Sequence, residues 1–407
     1  MKKIYKIFIC ICCCSLICNI ACTRKDIQPE PIGEPNPYEE MPQGKVRDVL
    51  KEEYKLFFLA WQKAEMDKSL EEIKMVIFPS PYTNIGILAL HDSEMLKLGY
   101  SENAINDSKQ DDMLKFLAPY VILSKITQET LIEGSATDFK TFMEHYLQSG
   151  NFSPSYNVSV LKFQDSIFVN GLGQCKVSEI KLKSDGLIIP TKKALILDTQ
   201  ALWAFIQQDD RFTYYREAIR INDSIYSLKD EGRARISLSP INLFRSRNTR
   251  IPTDIMTVFL PSDKAFKASG FNSIEDIRKV ILRSPLKDPI TLPQRQGQLY
   301  FPSAMDTLLA VTKPYDRGQF VYDRRIFLSD LIARPDLFSG LQTRLETINL
   351  TSRYIDLEFK NDAGRLGIRR KGSNGPWIHP SVEESNIRFY KAVVHVIHEG
   401  LFLPDKY

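Results

Sequence analysis

Apolar positions recur every three or four residues in two stretches, the spacing of amphipathic helices. The first runs from Val46 to Met66 and carries Leu50, Tyr54, Phe57, Phe58 and Trp61; the second, Gln200 to Ile221, carries Leu202, Trp203, Phe205, Ile206, Phe212, Tyr215 and Ile219. Elsewhere the pattern shortens into β-branched and aromatic runs. Thr257-Val258-Phe259-Leu260 favours a half-buried strand, and Pro261, which has no backbone donor, should stop its pairing. Ser262 and Asp263 can then accept hydrogen bonds from the free amides of a new helix, whose apolar face is Ala265 and Phe266. The run Val393 to Leu403 alternates and then turns apolar, as a core strand does. Ile167-Phe168-Val169 leads into Asn170-Gly171, a hairpin signal. After a polar turn at Ser184-Asp185, a last apolar run extends from Gly186 through Leu197.

Two of these runs resemble the signature segments of a fasciclin domain. The family's first segment reads T-V-F-A-P-T-D-x-A-F, and Thr257 to Phe266 departs from it only at Leu260 and Ser262. The closing segment reads about G-V-V-H-V-I-D-x-V-L-L-P; Val393-Val394-His395-Val396-Ile397 and Leu401-Phe402-Leu403-Pro404 keep its core. The resemblance implies an extracytoplasmic adhesion or binding module, each unit a compact α+β wedge made of a small twisted sheet pair with helices packed on it. Tether excluded, about two hundred residues precede the corner near Thr257, more than one unit's helical opening requires, which makes an internal repeat worth seeking. Met75-Val76-Ile77-Phe78-Pro79-Ser80-Pro81 matches the V-F-x-P-S core of the first segment, and Gly186 to Leu197 takes the place of the closing strand without its histidine. Residues 46–199 are thus expected to form a degenerate first fasciclin-like domain and residues 200–407 a second. With little linker near Thr199, the two should pack together. Helices early and strands late in each half also favour α+β over alternating α/β.

The N-terminus changes the picture of where this module works. Lys2, Lys3 and Lys6 precede an apolar run from Ile7 to Ala21, the charged and hydrophobic regions of a secretory signal. Asn19-Ile20-Ala21-Cys22 resembles a bacterial lipobox with Cys22 as the acylated residue, so residues 1–22 are expected to be a lipoprotein signal and residues 23–45 a tether rich in Pro, Glu and Asn. Lys25-Asp26 resembles the short charged signals of surface-directed Bacteroidota-type lipoproteins. Cleavage would leave only Cys22 and Cys175, so no disulfide framework is expected, and Cys175 reads as a packing residue. Net charge is +4 with the signal included; the mature chain is near neutral, which implies no field for nucleic acid. Arg245-Ser246-Arg247 to Arg250 and Arg369-Arg370-Lys371 read as solvated loops.

No nucleophile, zincin or phosphate-loop motif is present, no acid–base pair accompanies the Ser262 corner, and no cofactor is implied. His395 and His398 lie three apart, so on a strand they cannot share one metal ion; His395 reads as a satisfied core histidine. Glu383-Glu384 and Asp209-Asp210 are adjacent pairs of the kind that faces water. Candidate ligand contacts lie in the irregular stretch from Arg283 to Arg325, where Tyr300, Tyr322 and Arg324 could stack on sugar or peptide groups, or else staple a long loop to the sheet. Trp377 follows the turn sequence Gly372-Ser373-Asn374-Gly375-Pro376. The expected function is a non-enzymatic, lipid-anchored adhesion or ligand-binding protein of the bacterial outer membrane, capturing glycan or peptide beside a nutrient-uptake complex. A structural assembly subunit and an envelope hydrolase are the alternatives.

Overall fold

The computed structural model describes residues 43–77, 85–124, 126, 130–143, 157–195, 202–229, 256–283, 290–291, 299–300, 311–313, 325–338, 341–347, 350–389 and 392–402. The fold is α+β. Helices α1 (Val46–Glu53), α2 (Lys55–Lys63) and α3 (Met66–Ile77) open the first half. Their stripe buries Leu50, Tyr54, Phe57 and Trp61, as the spacing predicts. β1 (Ile85–Leu90), α4 (Asp92–Lys97), α5 (Glu102–Asp107), α6 (Gln110–Leu117) and β2 (Val121–Ile122) follow. β3 (Thr137–Lys140), β4 (Asn157–Phe163), β5 (Ser166–Val169) and β6 (Leu172–Lys176) make one antiparallel sheet in chain order. Asn170 and Gly171 turn β5 into β6 at positive φ, 49° and 77°, the requirement that selects Asn-Gly there. With β7 (Lys181–Lys183) and β8 (Gly186–Thr191) a second sheet runs β2-β1-β8-β7.

The second half begins with α7 (Leu202–Gln208) and α8 (Thr213–Lys229), then β9 (Met256–Pro261), α9 (Asp263–Ala268) and α10 (Ile274–Arg283). β10 (Ile290–Thr291), β11 (Leu299–Tyr300) and β12 (Val311–Lys313) lie within the stretch that reads from sequence as irregular. β10 pairs with β11, and β12 pairs with β9; short β-branched and aromatic pairs suffice once a neighbouring strand is supplied. After α11 (Leu328–Ala333) come β13 (Gln342–Thr347), β14 (Leu350–Asp362), β15 (Arg365–Arg370), β16 (Ile387–Arg388) and β17 (Ala392–Ile397). Seven strands run in the order β15-β14-β13-β12-β9-β17-β16.

Strand alternation explains the cores. Val258 and Leu260 of β9, with Val394 and Val396 of β17, pack against α7, α8, α9 and α10, burying Trp203, Ile206, Phe212, Tyr215, Phe266 and Ile277. Phe259 and Ile397 belong to the opposite cluster with Leu331, Leu357, Phe359 and Ile368. A period of two thus feeds two apolar layers from one strand pair. In the first half one cluster extends from Val46 to Leu195.

The two halves share a construction that the Met75–Pro81 match misplaces. Met75, Val76 and Ile77 end helix α3 instead of forming a strand, and Phe78 to Pro81 lie outside the described residues. The counterpart of β9 is β1. β1 pairs in parallel with β8 from Ile85↔Gly186 to Leu90↔Thr191, and β9 pairs in parallel with β17 from Met256↔Ala392 to Pro261↔Ile397. The residue after each strand closes the corner alike: His91 N–H donates to Thr191 O at 3.1 Å and Ser262 N–H to Ile397 O at 3.0 Å. Gly99 and Gly270 then end α4 and α9 at φ of 86° and 89°.

The capping expectation also needs correction. Asp263 does not cap its own helix; its Oδ1 accepts from the Tyr214 amide at 2.8 Å, at the start of α8. Asp92 Oδ1 does the same for the Leu56 amide of α2 at 3.0 Å. Each carboxylate therefore ties a strand–helix corner to the free donors of the helix packed over it. Replacing Asp92 or Asp263 by Ala is expected to lower stability by about 1–2 kcal/mol each. Replacement by Asn should cost less. Urea titration reads both, and an alanine variant as stable as the wild type would refute the capping role.

The halves meet at the Asn170-Gly171 turn. Asn386 Nδ2 donates to Gly171 O at 3.2 Å, and Arg388 Nη2 donates to Asn157 O at 2.9 Å. A Cβ on Gly171 would sit 2.7 Å from both Asn386 and Phe327, so glycine serves fit as well as φ.

Candidate functional site

The corner between β9 and α9 holds an array that the sequence does not announce. Ser262 Oγ lies 2.7 Å from His398 Nδ1. The other ring nitrogen of His398 contacts the Glu384 carboxylate, which also pairs with Arg211. Arg211 Nε reaches Asp209 Oδ1 and Oδ2 at 2.9 and 3.0 Å. Glu384 on Nε2 makes that nitrogen the donor, which leaves Nδ1 to accept from the Ser262 hydroxyl. Partial burial works to raise the Glu384 carboxyl, but His398 and Arg211 hold it below its usual range. Asp209 is held low by its hydrogen bonds from Arg211. Neither acid faces water in the simple way that adjacent acidic pairs suggest. Ser262 lies 136 positions before His398 and Arg211 lies 173 before Glu384, so no local motif could reveal the array.

A hydroxyl, an imidazole and a carboxylate in line is the outline of a nucleophilic triad. The access is wrong for one. Ser262 is only 2% exposed, and an attacking oxygen must come within about 3–3.5 Å of the scissile carbon. The chemistry here is that of a clasp, fastening the end of β17 to the start of α9. In the first half His91 stands at the corresponding corner, with its ring 5.3 Å from that of Tyr54.

His395 is a satisfied core histidine. It is fully buried on the face of β17 that meets Phe259, with ring centroids 5.4 Å apart. Nε2 donates to Ile326 O at 3.0 Å and Nδ1 accepts from the Asn386 amide at 3.2 Å. Burial lowers its pKa to about 4. Cys175 is buried and free, with its thiol pushed up to about 12 by burial, which leaves it little thiolate.

Trp377 lies on a different surface. β14 and β15 form a hairpin whose inner residues Leu357, Phe359, Leu366 and Ile368 are core. On its outer face Glu358 pairs with Arg369 and Lys360 faces Gly367, with Asp362 opposite Arg365. A bridge between Ile368 and Ile378 brings the following segment alongside. The half-buried Trp377 ring then lies over this outer face, with the Arg369 guanidinium 4.2 Å and the Lys360 ammonium 4.9 Å from its centroid. A Cβ at Gly367 would come within 3.2 Å of the indole and 3.0 Å of the Lys360 stem, so a larger residue would oblige one of them to shift. Arg369 and Arg370 belong to a strand, not to a solvated loop. The array continues through Lys360–Asp362 at 3.0 Å, Asp362–His379 at 3.6 Å and His379–Glu399 at 3.0 Å. Hydrogen bonding from Lys360 holds Asp362 below the usual carboxylate range.

A solved FAS1 domain pair from the insect cell-adhesion molecule fasciclin I aligns with this chain at 13% identity and a TM-score of 0.31, covering 87% of this chain and 97% of that one. The chain is similar to it. No protein-family model matches the sequence, and no curated protein does. Of the predicted contacts, Trp377 alone is described with its side chain. Tyr300 falls in β11, where only the backbone is described, and Cys22, Tyr322 and Arg324 lie outside the described residues. Arg245 to Arg250 lie outside them as well. Lys360, which with Arg369 frames Trp377, escapes a reading of sequence because only the hairpin register places it beside the ring.

Proposed function

We propose that this protein is a non-enzymatic adhesion or ligand-binding protein, two fasciclin-like units held at a bacterial outer membrane by lipid on Cys22. The observation that carries the reading is the Trp377 ring seated between Lys360 and Arg369 on the outer face of a hairpin whose inner face is core. An aromatic plane framed by alternating charges can stack on a sugar ring or peptide group while its neighbours hydrogen-bond to hydroxyl or amide groups. The burial of Ser262 removes the best case for a hydrolase. The units are proposed on the two signature segments, and the membrane location on the N-terminal pattern.

Two experiments test the parts separately. Metabolic labelling with a palmitate analogue should tag the wild type and not Cys22→Ala; equal labelling would end the lipoprotein reading. Binding to immobilised glycans and peptides from the cell envelope should weaken by about 1–3 kcal/mol in Trp377→Ala, with the melting transition little changed. Unchanged retention in a folded Trp377→Ala protein would remove this face from consideration.

A further inference from the structure

At the contact between the halves one asparagine has three polar groups that reach three elements. Its backbone N–H donates to His395 Nδ1 in β17, Oδ1 accepts from the Leu328 amide at 3.0 Å at the start of α11, and Nδ2 donates to Gly171 O across the junction. Asn386 holds this position at φ 59°, a left-handed conformation that is uncommon outside glycine and needs its surroundings to maintain it. One of its anchors, His395, has both ring nitrogens committed in a way that permits only the neutral Nε2–H tautomer. A second proton would have to sit on Nδ1, facing the Asn386 N–H, donor against donor.

We propose that this junction is a proton-releasable clasp: protonation of His395 expels the Asn386 amide, and with Asn386 unseated the Gly171 turn of the first half is freed from the second. The other ionisable groups around the junction have their own engagements. In the first turn of α11, the Asp330 carboxylate accepts from the Phe327 amide. Beyond Asn386, Arg388 is bound to Asn157. Glu384 and His398 engage each other and, through Glu384, Arg211. Arg325 is buried next to Ile326, and Phe259 covers the imidazole from β9. With no carboxylate hydrogen-bonded to the ring, a proton taken up there has no counter-ion, so its release of the clasp is favoured over its accommodation. The low pKa of the closed form agrees with this, and the opened form, with an ordinary imidazole, is the one that binds the proton. A binding protein built this way would change the relation of its two halves with acidity alone, without a ligand.

Hydrogen exchange of the intact chain reads the clasp directly, because the Asn386 and Leu328 amides are two of its bonds. After correction for intrinsic rates, their protection should fall by about tenfold per pH unit between about pH 6.5 and 4. Small-angle scattering should show expansion over the same range. His395→Gln keeps a donor for Ile326 O and cannot titrate there, so both readouts should become flat with pH. If that variant does not fold, an NMR titration of the wild-type His395 ring takes its place. Ring protonation and loss of Asn386 protection must then share one midpoint. Protection that is independent of pH, scattering that does not change, or an unaltered slope in a folded His395→Gln protein would each overturn the proposal.

Discussion

Gly186→Ala should destabilise the protein by about 3 kcal/mol, although it adds a single methyl group. Gly186 begins β8 opposite Ile85 of β1. A Cβ there would stand 2.2 Å from the Ile85 carbonyl oxygen and 3.2 Å from its carbonyl carbon and nitrogen. All three are backbone atoms within the parallel pair, so no flexible side-chain end can yield. The strands must separate or slip, and the paired core residues Leu88 and Ile189 lose their packing. Gly270→Ala makes an informative control. Gly270 sits at φ 89° with nothing within 4 Å of a built Cβ, so its cost is conformational, roughly 1–2 kcal/mol. Urea denaturation should rank Gly186→Ala well below Gly270→Ala. The reverse order would mean that strand spacing is not what Gly186 protects.

Acid should weaken the fold through His395 by about 3 kcal/mol. The sign follows from the folded pKa of about 4 against an ordinary 6.5. Above pH 6.5 neither state binds the proton and stability is complete. Between 6.5 and 4 the unfolded chain takes a proton that the folded chain refuses, so stability declines as pH falls. Below about 4 both states are protonated and this contribution levels off. The difference between denaturation midpoints of wild type and His395→Gln, measured at several pH values, isolates the histidine from the carboxylates that titrate lower. Parallel curves for the two proteins would show that the imidazole is not held neutral.

How much of this could be read from sequence depended on whether the residues involved are contiguous. Thr257 to Phe266 gave its strand, corner and helix because each step is a local preference of neighbouring residues. The hairpin at Asn170-Gly171 was legible for the same reason. The repeat in the first half was not, because Val76-Ile77-Phe78-Pro79-Ser80 imitates the signature while Met75 to Ile77 continue α3. The true counterpart, Ile85 to Leu90, lacks the proline, and its kinship with β9 rests on pairing with a strand far along the chain. Asp92 and Asp263 followed by Gly99 and Gly270 at the same spacing were the available signal. The Ser262, His398 and Glu384 array had no local signal, since Ser262 comes from 136 residues before His398. Trp377 could be placed near a turn, but its seat on Gly367 is a matter of register. Asn386 illustrates the limit best: an asparagine in a polar stretch gives no hint that it joins two halves.

The parallel pairing of β1 with β8 and of β9 with β17 also sets the order in which the molecule can be assembled. In each half an interior strand of the sheet meets a partner made much later, more than a hundred residues on for β1 and 136 for β9. Everything between must be made before the parallel ladder can close, a high contact order that predicts slow folding. Until then β1 and β9 carry open edges and apolar faces, the features that invite association with other chains. A protein of this design gains from holdase chaperones until its closing strands are made. It should also tolerate new termini in the surface turns between its strands better than loss of either closing strand.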